Sequence, residues 1–506
     1  MKPGAKKTDG GLKGYLTLYM ALMLSVILPL IFVLIKGTRM SAARMQLDST
    51  AHIAENAVLS EFHAELHRRY DLFAVDTSYG AGQGALSNTE QHFGAYLKQN
   101  TAREGTLLLG TPVDLTALRI SGAQIPEARF LCDNNAQAVR EQVYAYMTAD
   151  PAGAVLGKVL VSADQWRGLE ISGREWRTRT QESEQELLDT LAERREDVRE
   201  EIEEKEEEDE YVSAEEYEAA SKTPSEAEEM VQSSRSFQFL PILRQVLGKD
   251  AALSEVRIPV EEQLSVRSVY LGSGLEASNT HGYPRADELL FDAYIVEKTG
   301  NYTRALPDGR LRYQTEYILC GKDSDKGNLE SVAERLILIR EGANCMYLFG
   351  DEGRMANVHA VAAVVSLVLL NPDLEDAISN VLALSWAYLE SVQDVRSLLE
   401  GQKVPLYKTG ETWQTDLTDL LRPSEAIRNR GEGTGLSYEE YLQGLLYLEG
   451  STIKTKRTMD IMEMDIREIT KDSGFALDRC LDTIRTEVQA EAMGQSYSYA
   501  GTAGYN

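Results

Sequence analysis

The chain has 506 residues, and 52 basic against 80 acidic side chains give a net charge of −28 at pH 7. That length allows several domains, and 43% hydrophobic with 26% charged residues exclude both a wholly disordered chain and a multi-span transporter. The acidity excludes a general nucleic-acid binder, which needs a basic face, and four cysteines at 132, 320, 345 and 480, without a CxxC pair, exclude a disulfide scaffold or a zinc ribbon.

Residues 15–35 read YLTLYMALMLSVILPLIFVLI, 21 residues without a charge. As a helix they cross about 30 Å of hydrocarbon, and Pro29 is tolerable in such a helix. Tyr15, Leu22, Ile27, Leu30 and Ile35 are the expected anchor residues. Lysines 2, 6, 7 and 13 precede the run, and Lys36, Arg39 and Arg44 follow it, so the charge bias is thin. The long acidic remainder nonetheless places the N-terminus in the cytoplasm and the bulk of the chain outside. Three readings of the segment stay open. A secretory signal has a shorter apolar region and a small-residue cut site, whereas the nearest such site, at Ser41-Ala42-Ala43, follows two cations. A plain single-span anchor fits the run as it stands. A pilin-like leader would be processed after Gly14, leaving Tyr15 first, although Tyr19 stands where prepilins carry glutamate.

Residues 38–70 contain no Gly or Pro. Met40, Ala43, Leu47, Ala51, Ala54, Val58 and Phe62 recur every three or four positions, which sets them on one helical face. The span is therefore expected to continue as an amphipathic stalk. The packing face of Met40, Leu47, Ala54, Val58 and Phe62 needs a partner, either the chain's own head or neighbouring subunits.

Residues 76–94 read as an exit loop. Strands are expected at 107–109 and 115–120, and helices at 136–147 and 154–160. Residues 181–210 hold 16 acidic and 4 basic side chains, a net charge of −12. Leu188, Leu191, Val198 and Ile202 give them one weak seam, so the segment is either a long solvated helix, hairpinned with 214–235, or disordered. A helix restart is expected at Thr223-Pro-Ser-Glu. Further on, strands are expected at 289–298 and 312–320. Helices follow from an Asn328 cap to Arg340, over 356–370 as a buried core helix, over 382–399 as an amphipathic one, and over 438–448 and 456–485. The Gly/Ser/Tyr-rich tail from 496 is expected to be loose.

Chemistry-bearing patterns are few. His63-Ala-Glu-Leu-His67 has metal-ligand spacing on a helix, but further ligands are not evident. Asp323-Ser-Asp-Lys-Gly327-Asn resembles a calcium loop with its glycine one place early; a helix-capping turn accounts for it equally. Gly272-Ser-Gly274 and Gly431-Glu-Gly433-Thr-Gly435 lack the spacing of a nucleophile elbow or a dinucleotide loop. Cys320 and Cys345 are read as buried free thiols, with a bridge as the alternative. Trp386 and Glu390 share a helix face with Trp413 downstream, read as core and alternatively as a ligand site.

The span followed by RMSAARMQLDSTAHIAENAVL resembles the N-terminal organisation of TadE/TadG-type pseudopilins of tight-adherence pilus systems, with Asp48 as the acidic residue after the span. A longer resemblance, to the Gram-positive, mostly clostridial domain-of-unknown-function family 5702, is carried by YDLFAVD at 70–76, YQTEYILCGKDSDKGNLESVAERL, WAYLESVQDVRSLLEGQKVPLYK, YEEYLQGLLYL and RTMDIMEMDIRE. What the resemblance implies about function is association with tight-adherence pilus parts, and no activity.

The expectation is a helix-rich α+β chain. It comprises a basic cytoplasmic leader (1–14), a transmembrane helix (15–36), a stalk helix (37–75), a first head part (76–180), an acidic helical or disordered insertion (181–235), a second head part (236–495) and a flexible tail (496–506). The expected function is that of a non-enzymatic, pseudopilin-like accessory component of a tight-adherence pilus or related envelope assembly. Its partners would be the lipid bilayer and other proteins, with no nucleic acid, cofactor or metal. The alternative is a membrane-tethered ligand-binding or sensory domain with a pocket near Trp386 and Trp413.

Overall fold

The computed structural model describes residues 11–101, 106–108, 111–114, 116–149, 163–207, 211–219, 226–248, 251–272, 275, 285–368, 371–427 and 433–505. The chain is helix-rich α+β and divides into two compact units. Unit 1 comprises 1–139, 269–280 and 474–506, and unit 2 comprises 140–268 and 281–473.

Unit 1 is built on α1, Gly11–Leu59, an unbroken helix of 49 residues that includes Pro29. After it come α2 (Ala64–Tyr70), the short strand β1 (Val75–Asp76) and α3 (Leu86–Thr101). The strand pair β2 (Thr106–Leu108) and β3 (Thr111–Val113) leads to β4 (Arg119–Phe130). α4 (Asp133–Ala149) follows, left-handed at Asn134–Ala136 and divided between the units after Val139, and β5 (Cys480–Ala492) and β6 (Gln495–Gly504) return at the far end of the chain. β5 is the centre of the main sheet, pairing antiparallel with β1, β4 and β6. The β5–β6 hairpin turns at Met493 and Gly494, whose φ values of 52° and 74° are those of the two-residue turn that matches strand twist. The sheet buries one face against α1 and α3, and its core gathers Leu47, Ala54 and Val58 of α1, Phe93 of α3, Phe130 of β4 and Ile484 of β5.

Unit 2 is helical. Its elements are α5 (Ala163–Glu207), α6 (Ala214–Ala219), α7 (Glu226–Gln238), α8 (Ile242–Leu247), α9 (Arg285–Lys298) and α10 (Gln314–Cys320). They continue with α11 (Asp325–Gly350), α12 (Glu352–Val368), α13 (Glu375–Leu399), α14 (Pro423–Ala426), α15 (Tyr438–Leu448) and α16 (Ser451–Thr470). α13 is the central rod, packed by α5, α7, α11 and α12. α5 and α11 cross where side chains would not fit. A Cβ on Gly173 would lie 1.8 Å from the Leu338 carbonyl oxygen, and one on Gly342 would lie 2.5 Å from that of Leu169. These two glycines therefore allow backbone-to-backbone approach.

Several expectations give way. The stalk does not run to Tyr70: α1 ends at Leu59, and the chain turns before α2. Residues 289–298 and 312–320 are helical, not strands. α10 buries Gln314, Thr315 and Glu316 beside its apolar residues, so no one-sided period marks it. In α9 the buried Asp292, paired with Lys454, occupies a core position and blurs the spacing. The expected helix over 456–485 stops at Thr470, where Lys471 takes a left-handed C-cap, and the rest enters β5 with alternating burial. The tail forms β6 instead of hanging loose. α11 is capped by Ser324, whose hydroxyl accepts the Gly327 N–H, and begins three residues before the expected Asn328 cap. α12 is not a buried helix, since Val364 and Leu367 are 62% and 67% exposed. α13 is not amphipathic, because 20 of its 25 residues are buried. The acidic segment is helical through Glu207, with its seam on Leu187, Leu191, Val198 and Ile202 in place of Leu188. The leader over 1–10, the helix at 154–160, the restart at 223–225 and glycines 274 and 431 lie outside the described residues.

Candidate functional site: the anchor helix and its seat, and a buried ion cluster

α1 has two chemically different halves. From Tyr15 to Ile35 every residue is exposed, including Tyr15, Leu22, Ile27, Leu30 and Ile35, and the segment is long and apolar enough to cross a membrane. Gly14 lies in the first turn of the same helix. From Ala43 to Val58 the apolar stripe is buried: Ala43, Leu47, Ala51, Ala54 and Val58 are fully covered. Met40 is half-buried at the start of the stripe. Phe62 lies beyond the helix and packs edge-on against Phe73, with ring centroids 5.1 Å apart. The face that needed a partner finds it in the chain's own sheet.

A polar latch fixes the seat. Glu55 of α1, 1% exposed, accepts hydrogen bonds from Thr486 of β5 at 2.5 Å and from Tyr499 of β6 at 3.0 Å. Farther along, Glu61 accepts the Tyr96 hydroxyl of α3 at 2.7 Å and pairs with His92 at 3.0 Å. A buried carboxylate is costly unless hydrogen-bonded, so this glutamate at the helix–sheet junction specifies one seating of α1. The sequence marked Asp48 as the acidic residue after the span, yet Glu55 makes the latch. The apolar period alone does not show which acid faces inward.

The imidazoles of 63 and 67 do not converge. His63 is the N-cap of α2, its Nδ1 accepting the Leu66 N–H, while His67 stacks on Phe73 at 4.1 Å. Among the described residues no group of three His, Cys, Asp or Glu side chains could hold a metal ion. Cys132, Cys320, Cys345 and Cys480 are free thiols, and burial pushes Cys320 up to about 11. In the expected calcium loop, Asp325 instead accepts the Arg312 and Tyr313 N–H groups.

The tryptophans are buried and packed together. Trp386 and Trp413 are 4% and 7% exposed and pack edge to face, with centroids 5.4 Å apart. Both indoles hydrogen-bond to Thr415. Below them lies a fully buried ion cluster. Glu390 accepts the N–H groups of Gln414 and Thr415 and pairs with Lys408 at 2.5 Å. Lys408 also reaches Asp394 at 2.6 Å, and Asp394 pairs with Arg340 at 3.0 Å. Arg340 further donates to the carbonyls of Pro405 and Leu406 and to the Tyr441 hydroxyl. Two cations and two anions thus tie together α11, α13, α15 and the segment 404–415. Burial works against the Asp394 carboxylate, but Lys408 and Arg340 outweigh it and hold its pKa below the usual value. Such a closed network fixes geometry and offers no unsatisfied group for chemistry.

Two other buried acids behave differently. Glu184 accepts Ser385 at 2.8 Å and Gln238 at 2.9 Å, and Glu316 accepts the Tyr302 N–H and the Tyr438 hydroxyl, each at 2.8 Å. Burial pushes each up to about 7. The folded chain keeps these protons to about pH 7, whereas an unfolded chain releases them near 4.5. Raising the pH through that window therefore removes stability, by at most roughly 3 kcal/mol per carboxyl. The urea midpoint of the detergent-solubilised chain is expected to be higher at about pH 5.5 than at about pH 8. Glu184→Gln with Glu316→Gln should shrink the difference, the remainder coming from Glu341 and Asp292, which burial pushes up to about 7 and about 6. A midpoint that rises over that range sinks the assignment.

The features define a helix-rich α+β protein with one helix long and apolar enough to cross a membrane and a helical unit organised by buried charge. The sequence model of a family of unknown function, DUF5702, matches residues 220–492, more than half of the chain, and the chain belongs to that family. No curated protein and no solved structure matches it. The matched residues include the ion cluster and β5, and exclude α1, α5 and β6.

Proposed function

We propose that the chain is a non-enzymatic, membrane-anchored component of an envelope assembly of the tight-adherence pilus type, with the N-terminus cytoplasmic and both units outside. The carrying observation is that α1 is one unbroken helix, apolar and exposed over 15–35 and locked into the core of unit 1 over 43–58. Only about eight residues, or about 12 Å of helix, separate the two. A span joined this way transmits its orientation and any displacement to unit 1. A flexible tether, sufficient for a domain that only needs to be near a membrane, would not. The TadE/TadG-like passage RMSAARMQLDST supports the pilus-type assignment. Because the stripe is spent on the sheet, association with other subunits runs in this reading through the exposed span and through exposed residues such as Met45.

The test is to cross-link native membranes, purify the full chain and identify what travels with it, while reading its N-terminal sequence and intact mass. Pilus-assembly proteins in the cross-linked species, with the chain starting at Tyr15, support a processed pseudopilin. The same partners with an intact leader support a fixed platform component. A chain that cross-links to no assembly protein overturns the proposal.

A further inference from the structure

Unit 2 carries an open cleft of about 710 Å³ that none of the preceding roles uses; its walls include Ser254, Tyr302, Thr303, Arg312, Tyr313 and Glu400. That volume is within the range of small-ligand sites. Its walls are held by buried polar side chains. Asp325, fully buried at the start of α11, accepts the N–H groups of Arg312 and Tyr313 at 3.0 and 3.1 Å and the Ser254 hydroxyl at 2.6 Å. Glu316 accepts the Tyr302 N–H at 2.8 Å, and Asn301, also fully buried, accepts both the N–H and the hydroxyl of Thr303. The Tyr313 hydroxyl accepts the Ser254 N–H, and the two tyrosine rings pack edge to face with centroids 5.4 Å apart. Three buried polar side chains thus fix five wall residues, which is the arrangement of a preorganised site.

The hydrogen bonds already made decide what such a site can recognise. The hydroxyl protons of Ser254 and Thr303 are committed to Asp325 and Asn301, and the Ser254 Oγ also accepts the Val256 N–H at 3.4 Å, so what each hydroxyl has left for the cleft is acceptor capacity only. Glu400 is an acceptor already neutralised by Arg396 at 2.8 Å. Arg312 is exposed, and its guanidinium makes no ion pair among the described residues, in a chain with a net charge of −28. A complementary ligand brings several hydroxyl donors, one anionic group for the arginine fork and an apolar face for the Tyr302 ring. We propose that this cleft binds a carboxylate-bearing saccharide, with Arg312 on the carboxylate, Ser254, Thr303 and Glu400 on ring hydroxyls, and Tyr302 against the ring's C–H face. The inference is independent of the anchor reading.

The experiment is calorimetric titration of the detergent-solubilised full chain with tetragalacturonic acid, its methyl ester and tetraglutamate. The acid sugar is expected to bind, with the ester and the peptide weaker by about tenfold or more, as expected from losing a charge-assisted contact or the hydroxyl array. Arg312→Gln should lose a similar factor for the acid sugar while leaving the ester unchanged and the melting temperature intact. Absence of binding by tetragalacturonic acid, or binding indifferent to Arg312→Gln, overturns the site. Tetraglutamate binding as tightly as the sugar overturns the saccharide assignment.

Discussion

Replacing Lys408 with Met is expected to destabilise unit 2 by about 3–5 kcal/mol, the cost of leaving buried carboxylates without their cation. Lys408 is completely buried and touches Glu390 at 2.5 Å and Asp394 at 2.6 Å. Methionine fills the stem's volume but supplies no donor. Asp394 retains Arg340, whereas Glu390 keeps only the two N–H groups and the hydroxyl of the 414–415 turn. The effect should therefore be lowered by a second substitution that restores balance. Lys408→Met with Glu390→Gln leaves one cation and one anion, the Arg340–Asp394 pair, and should recover part of the loss. The measurement is the urea midpoint of the solubilised chain followed by tryptophan fluorescence, since Trp386 and Trp413 sit directly on the cluster. A single-substitution loss below about 1 kcal/mol would place the pair in the class of exposed ion pairs and would contradict its burial.

That cluster also marks the limit of what the sequence makes legible. The span, the apolar stripe of α1 and the helix at 438–448 are plain, because each has a strong period or a long run. Ser437 and Glu440 form a capping box at the start of that last helix, so its boundary is legible as well. Trp386 and Glu390 could be placed on one face of a helix, and they do lie together. Their true partners could not be found: Asp394, Lys408 and Arg340 are charged residues, which sequence reading assigns to the surface because charge is seldom fully buried. The same effect hides α10, where Gln314 and Glu316 occupy the interior, and α9, where Asp292 does. In each case the polar group finds a partner distant in sequence, such as Asp465 for Gln314 or Lys454 for Asp292. β5 was lost for another reason. Its alternation is clean from Ile484 to Ala492, but its Glu, Arg and Gln are good helix formers, and the pairing with β4, some 360 positions earlier, decides the outcome. The cleft follows the same rule, because its walls come from three separated segments and are held by the buried Asn301, Glu316 and Asp325.

Val58→Asp is expected to unfold unit 1 while leaving the span able to insert, with a cost above about 4 kcal/mol because an unpaired carboxylate replaces a core side chain. From the sequence alone, the same substitution would test lateral packing between subunits, since Val58 belongs to the stripe of Met40, Leu47, Ala54 and Phe62. The structure changes what the experiment reads. Val58 is fully buried in the core that joins α1 and α3 to the main sheet, so the damage falls on the fold before it reaches any assembly. Met45, on the same helix and 69% exposed, provides the separation. Met45→Asp should leave the protease resistance of unit 1 unchanged, whereas Val58→Asp should abolish it in the same membranes. Cross-linked complexes that disappear with Met45→Asp and a folded unit 1 would locate an assembly contact on the outer face of α1. A folded, protease-resistant Val58→Asp protein would mean that the stripe is not seated on the sheet, and the coupling between span and unit 1 would fall with it.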